Sequence, residues 1–494
     1  MNNKTVIIGG GVAGLTAGIY GQLSGLDCVL VERNSFVGGN LTAWERQGCT
    51  IDNCMHWLNG TRSGSKLNDM WRTTGMLGDG VSLYKMSAFY TSEYRNKSIS
   101  LWRDTRQTLK EMTDLSRQDY IESRNFIKAV EAVGRAEKSS AIGKAEYFPI
   151  IAKYGRISLG ELAKRFSHPL LKKLMTDYLS SELSALSLIF SYASFAYGDA
   201  DVTVGGSKEA ADRMAARFVA LGGKIFTECE ATEISVKNKK AIGVRLSDGR
   251  FVRADRVICA CDPKVTFGKL LPERYMPRRM ISAYRNTRKT PTFSALHAAF
   301  VCDDDKSLPK DTVVFEMMTL RLDGRAVNRM IIKPYRSDLV DVPKGKVVLQ
   351  TIFYLEENEA VRWIKASQNR DRYRELKQRF AAAVSRRIIN RYPKIKKSLK
   401  LLDVWTPSTY KRYFNTPTGA FLSFAIKPGT AITYRVSPKI KGLENVFLAT
   451  QWQNAPGGLP VAAKNGKKAA LRAAKLPKKK EIYAFKPRFA VKEV

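Results

Sequence analysis

The chain has 494 residues, 44% hydrophobic and 26% charged, with 83 Lys or Arg against 46 Asp or Glu, a formal net charge of +37. That length suits two or three domains around a large core, and the ordinary apolar content excludes a disordered or integral membrane protein. No apolar run approaches about 18 residues, so no spanning helix is expected.

The chain opens directly on a strand-like run, Lys4-Thr5-Val6-Ile7-Ile8, which leaves no room for a signal peptide. Gly9-Gly10-Gly11-Val12-Ala13-Gly14 follows at once, and then a helix through Leu15, Ala17, Ile19 and Leu23. Gly9 permits a tight turn, Gly11 lets the backbone approach a pyrophosphate, and Gly14 lets the helix pack closely. The helix N-terminus, with Val12 and Ala13, directs its N–H groups at the phosphates. A second strand, Cys28 to Val31, ends in Glu32, where a carboxylate can take both hydroxyls of an adenosine ribose and disfavours a 2′-phosphate. NADP is thereby disfavoured and NAD is not. The doublet Gly38-Gly39 that follows points toward FAD.

Gly48 to Asp52 reads as a strand, followed by the segment Asn53-Cys54-Met55-His56-Trp57. From about 66 to 197 the pattern is helical: Lys66 to Leu77, a longer polar helix Leu109 to Val133, and apolar Leu159 to Ala196. Serines and charges interrupt the last stretch, which predicts a buried helix pair and equally suits the wall of an apolar pocket. The α/β pattern returns with Gly205-Gly206-Ser207 opening a helix, a strand from Lys224, and two hairpin turns at 237–240 and 247–250. Residues 290 to 435 alternate strands with a basic helix. Val446 to Ala449 is a last strand, followed by Gln451 to Pro460 and a helix from Ala462 to Ala474.

The fold class is therefore α/β: a discontinuous, three-layer Rossmann-like dinucleotide domain with an inserted α+β substrate domain. The expected division is residues 1–75, 200–270 and 436–476 for the first, 76–199 and 271–435 for the second, and a basic tail at 477–494.

Two regions concentrate positive charge. Arg362 to Lys400 carries fourteen Lys or Arg against Asp371 and Glu375, with Leu376, Phe380, Val384 and Ile388 at four-residue spacing, which predicts an amphipathic helix with a basic face. Lys464 to Val494 carries eleven basic residues against Glu481 and Glu493. Such faces are attracted to anionic lipid. No nucleic-acid-binding module is recognisable, so nucleic acid is not the expected partner. The seven cysteines form no CxxC pair and read as reduced thiols of a cytoplasmic protein, peripheral on the inner membrane face. With only His56, His168 and His297 as histidines, no metal site is expected.

Taken together, the segments resemble the phytoene desaturase family of FAD-dependent oxidoreductases, whose relatives include carotenoid isomerases, retinol saturases and, more distantly, amine oxidases. The match rests on Gly9 to Gly14, Val37-Gly38-Gly39-Asn40, Gly48 to Asp52, Val204 to Ser207, the stretch Thr406 to Gly419, and the terminal Pro456-Gly457-Gly458-Leu459-Pro460. The resemblance implies FAD as cofactor, with Gly9, Gly11 and Gly14 against the pyrophosphate and Glu32 on the ribose. Arg33, Gly38, Gly39 and Asn40 would flank the cofactor, and Ala231 would meet adenine. Gly458, Leu459 and Val461 would lie at the isoalloxazine, and Gln451 would also bind the cofactor. It also implies an apolar polyene or lipid substrate, desaturated by hydride transfer to flavin N5. A saturase, a cis–trans isomerase, an amine oxidase or a non-enzymatic binding protein on the same fold are the alternatives. His56, near this site, is the candidate for proton transfer because an unperturbed imidazole titrates near neutrality. Oligomeric state is not legible.

Overall fold

A computed structural model describes residues 3–138, 143–322, 324–425, 427–429 and 434–475; the expected basic tail at 477–494 lies outside them. A five-stranded parallel sheet forms one layer. Its strand order is Lys224–Phe226, Asp27–Val31, Lys4–Ile8, Arg256–Cys259 and Val446–Leu448. Val6, Ile7 and Leu30 are fully buried, as strands covered on both faces require. Three distant stretches of chain thus build one sheet. The Gly48–Asp52 expectation holds: Cys49–Asp52 is a strand, paired with Ala43–Arg46.

A second, seven-stranded sheet runs in the order Lys400–Trp405, Phe293–Asp303, Lys346–Glu356, Arg325–Tyr335, Val313–Leu322, Ala88–Tyr94 and Lys97–Trp102. All its pairings are antiparallel except Val313–Leu322 against Ala88–Tyr94. The two inserted stretches therefore share one sheet. The basic helix is Arg370–Arg391, preceded by a separate helix Glu357–Ala366. Phe380, Val384 and Ile388 are buried against the long sheet, and Arg372, Arg374, Arg379 and Arg386 are exposed.

Two helical expectations are corrected. The stretch Leu109 to Val133 is not one helix: Thr105–Leu115 ends at Ser116, and Tyr120–Lys138 starts after a single 3-10 turn. The break serves Asp119 in that turn, whose carboxylate accepts the Ser167 and His168 N–H groups at 2.6 and 2.8 Å. Leu159 to Ala196 is three helices rather than two, Leu159–Lys164, Pro169–Thr176 and Leu186–Ala196. Pro169 resets the chain after the first, because proline fits a helix start and not its interior.

The helical region is locked to the long sheet by Arg329. Its guanidinium makes a two-pronged ion pair with Asp177, with Nε at 2.8 Å from Oδ1, and donates to the Glu93 carbonyl at 2.6 Å. Both side chains are largely buried, so each charge depends on the other.

Candidate functional site

The helix Val12–Leu23 begins at Gly11 with no side-chain cap and no acidic residue in its first turn. The helix Leu459–Ala473 begins at Gly458 in the same way. The two pack against each other so closely that a Cβ on Gly466 would lie 2.3 Å from the Ala13 carbonyl oxygen. A Cβ on Gly14 would lie 1.9 Å from the Gly9 oxygen, so the turn closes directly onto the helix. Both uncapped N-termini open on one cavity of about 670 Å³. Unsatisfied N–H groups and two positive dipole ends make this a place for anions.

A third glycine-led helix, Gly206–Ala220, shows the contrast. Its N-terminus is filled by Asp52, which accepts from Ser207 N at 2.6 Å and Ser207 Oγ at 2.7 Å. The mid-chain Gly205-Gly206 motif is thus satisfied internally. The same carboxylate accepts from Cys54 N and Met55 N at 3.0 and 3.1 Å and so holds the loop 53–57.

One end of the cavity is charged. Glu32 sits at the end of its strand with Oε2 accepting from Gly10 N at 2.8 Å and Oε1 from Asn34 N at 2.9 Å. Each oxygen keeps a lone pair for a ligand hydroxyl. Burial pushes the Glu32 carboxyl up, and the backbone hydrogen bonds oppose that rise. Ala231, Gly9, Gly11, Val12 and Ala13 line the same end, as do Arg33, Gly38, Gly39 and Asn40. Asn40 donates to the Phe421 carbonyl at 2.9 Å, and its Oδ1 is buried with no partner among the described residues. Gln451, Gly458 and Leu459 also line the cavity, with Gln451 Oε1 accepting from Gly458 N at 2.9 Å. Gly14 and Val461, also expected, stand behind the wall rather than on it.

Sequence reasoning missed Asp262. It follows the strand Arg256–Cys259 and lines the cavity, and among the described residues its carboxylate accepts only from Lys264 N, at 2.8 Å. Burial raises its carboxyl from 3.8 to about 7. Its one sequence signal is the dipeptide Asp262-Pro263, a helix cap and start.

His56 does line the cavity, but the expectation that it titrates near neutrality is overturned. Burial, the positive charge of Lys333 and then His297 hold its pKa well below 6.5, so it is a neutral imidazole at neutral pH. Its Nδ1 is buried without a partner among the described residues. Lys333, only 6% exposed, donates to the Met55 and His56 carbonyls at 3.0 and 3.1 Å. Burial lowers Lys333 to about 8. Asp52 and Lys333 therefore pin the His56 loop from two sides.

A second missed group lines the same cavity. His297 stacks on Trp405, centroids 4.5 Å apart, and its Nε2 lies 3.0 Å from the Tyr410 hydroxyl, which donates to Asn53 Oδ1 at 3.3 Å. Burial lowers His297 to about 3, so this row is neutral as well. Around it the wall is apolar and aromatic, with Trp57, Phe190, Ile352, Tyr354 and Phe421. The expectation that the 159–196 region walls a pocket holds: Leu179, Leu183 and Phe190 line it.

The residues fit a flavin dinucleotide: uncapped helix starts for a pyrophosphate, a buried carboxylate for a ribose, and unpaired polar atoms along the wall between. Comparison with known proteins agrees. Residues 12–474 match a family described as flavin containing amine oxidoreductase. Among relatives, the chain is 24% identical to the chloroplastic prolycopene isomerase of Daucus carota, over 84% of this chain and 71% of that protein. It is 20% identical to the 4,4'-diaponeurosporene oxygenase of Staphylococcus aureus, over 95% and 98%. Among solved structures, cyclohexylamine oxidase from Brevibacterium oxydans superposes with a TM-score of 0.55, at 14% identity over 96% and 99%. The cofactor is FAD and the protein an FAD-dependent oxidoreductase. Among the described residues no helix is long and apolar enough to cross a membrane.

The buried Asp262 gives a pH test. Its carboxyl titrates near 3.8 when unfolded and near 7 when folded, so folding takes up a proton between these values. Stability from this group is full below pH 4, falls as pH rises toward 7, and is flat above. Asp262→Asn removes that fall. In denaturant titrations of the FAD-free protein, the variant should gain about 2–3 kcal/mol on wild type between pH 5 and pH 8. An unchanged difference contradicts the assignment.

Proposed function

The chain belongs to the flavin containing amine oxidoreductase family, and from that premise we propose that it acts on carbon–carbon bonds of an apolar polyene or related lipid. The observation that carries this reading is the distribution of charge in the cavity. The acidic side chains on its wall among the described residues are Glu32, Glu230 and Asp262, and Arg33 is the basic one. All four belong to the nucleotide end, beside the strand ends at 31 and 259. A cationic amine entering the remaining, apolar part would be desolvated with no carboxylate to pair it, a cost a hydrocarbon avoids. Relatives named as acting on lycopene-type and diapocarotenoid compounds support the same substrate class.

In this reading residues 1–75, 200–270 and 436–476 hold FAD, and 76–199 with 271–435 hold the substrate. The pyrophosphate lies at Gly9 and Gly11, where the Val12 and Ala13 N–H groups point, and Gly14 behind them lets the helix close on the turn. Glu32 takes the ribose and Ala231 the adenine, while Arg33, Gly38, Gly39 and Asn40 flank the cofactor. Gln451, Gly458, Leu459 and Val461 serve the flavin end. FAD supplies the two-electron exchange with the substrate carbon chain. The protein orients the polyene between Trp57 and the Phe421–Tyr354 wall and excludes water. His56 is the polar group offered to the reacting carbons.

Desaturation asks for a group that takes a proton from the substrate. His56 and His297 are held neutral, and both resist protonation. That favours a second reading on the same substrate class, cis–trans isomerisation, in which no net proton leaves. We further propose that the exposed arginines of Arg370–Arg391 meet an anionic membrane from which such a substrate is taken.

Two measurements check these proposals. Anaerobic protein loaded with FAD should convert an acyclic polyene, seen as a loss of two hydrogens or as a retention shift at constant mass, and should not be bleached by putrescine. Bleaching by the amine alone contradicts the substrate class. The protein should co-sediment with phosphatidylglycerol vesicles at low salt, and replacing Arg372, Arg374, Arg379 and Arg386 by Gln should weaken this at least tenfold, at about 1 kcal/mol per charge. Equal binding by the variant contradicts the membrane proposal.

A further inference from the structure

The helix Leu186–Ala196 turns one face to the cavity, and that face is mostly hydroxyl. Ser187, Phe190, Ser191 and Ser194 recur at helical spacing and all line the wall, joined by Ser180 from the preceding turn. Serines inside a helix usually point to solvent or return their hydrogen to the preceding turn. Ser191 does the latter, donating to the Ser187 carbonyl at 2.8 Å, which leaves its oxygen lone pairs for a donor. Ser194 does neither: it is 6% exposed, and its hydroxyl has no partner among the described residues.

An independent atom points the same way. The strand Leu58–Asn59 pairs with Ala200–Asp201, just beyond the end of the helix, and so brings Asn59 to the same part of the wall. The Asn59 backbone carbonyl is used by Trp71 Nε1 at 2.8 Å, but its side-chain Oδ1 is buried with no partner among the described residues. A buried acceptor left unmatched is unfavourable, so a ligand that brings a hydrogen to it binds more tightly than one that does not. No charged side chain lines this part of the cavity, so a carboxylate or an ammonium would find no counter-charge there.

We propose that this end of the cavity is a hydroxyl-recognition subsite, and that the substrate is an isoprenoid or polyene chain ending in a neutral alcohol. The alcohol donates to Asn59 Oδ1 and accepts from the Ser194 hydroxyl, while Phe190 holds the chain behind it. The inference rests on the polyene reading above and adds what terminates the chain.

The test uses the full-length protein with FAD bound and a matched pair of acyclic C30 polyenes in detergent micelles, one a hydrocarbon and one carrying a terminal hydroxyl. Trp57 on the cavity wall reports binding, because polyenes quench indole fluorescence. The alcohol should bind about tenfold more tightly. In the double variant Ser191→Ala, Ser194→Ala, its affinity should fall to that of the hydrocarbon, with FAD content unchanged. Alanine favours a helix more than serine does, so the variant should fold. Equal binding of the two polyenes to wild type overturns the subsite and leaves the polyene reading standing. Loss of FAD from the variant also overturns it, since the serines would then belong to the cofactor. Quenching by neither polyene removes the polyene reading and the subsite together.

Discussion

The close approach of Gly466 to the Ala13 carbonyl is the contact on which the rest of the molecule depends. It lets two helices, one from each end of the chain, pack tightly, the start of the first against the middle of the second, while both N-termini open on one cavity. Neither helix spends its first-turn N–H groups on a cap, and neither places an acid there. The free energy withheld from those caps is available to an anionic ligand. The helix at Gly206 shows what happens otherwise: Asp52 occupies its N-terminus, and the carboxylate that plugs it also shapes the loop carrying His56.

From that arrangement follows a division of charge. Ionisable groups gather where the dinucleotide enters, and the remainder of the wall is kept neutral. The neutrality is built as well as chosen by composition. Burial keeps His56 unprotonated, and Lys333, which lies under the His56 loop and pairs with two carbonyls rather than a carboxylate, adds to it with its charge. His297 is sandwiched on Trp405 and shares its hydrogen with Tyr410. For a protein of net charge +37, a cavity whose wall among the described residues carries Arg33 as its one Lys or Arg is a marked separation of surface from interior.

What was legible in the sequence was local. The glycine turn, Glu32 and the terminal Gly458-Leu459 are contiguous motifs whose spacing is fixed by one turn or one strand, and the structure brings them to one cavity. Asp262, Asn53, His297 and Tyr410 were not legible, because each is an ordinary residue in an ordinary element. Asn53, His297 and Tyr410 meet only when the strand Phe293–Asp303 and the segment after Trp405 reach the loop that follows Asp52. The parallel pairing of Val313–Leu322 with Ala88–Tyr94 joins residues more than 200 positions apart, and no periodicity announces it. The helix break at Ser116 had the same origin: Asp119 is needed elsewhere, by the chain at Ser167 and His168. The lowered titration of His56 is not legible for a related reason: it comes from burial in the folded cavity and then from a lysine 277 residues away.

The central claim is that a neutral, largely apolar cavity beside FAD handles carbon–carbon bonds of a polyene. The most direct measurement is mass spectrometry of the lipid fraction from cells with and without the protein. The account predicts a polyene that changes with the protein, either by two hydrogens or in retention at constant mass. An unchanged lipid fraction, accompanied by conversion of an amine to its aldehyde, would contradict it.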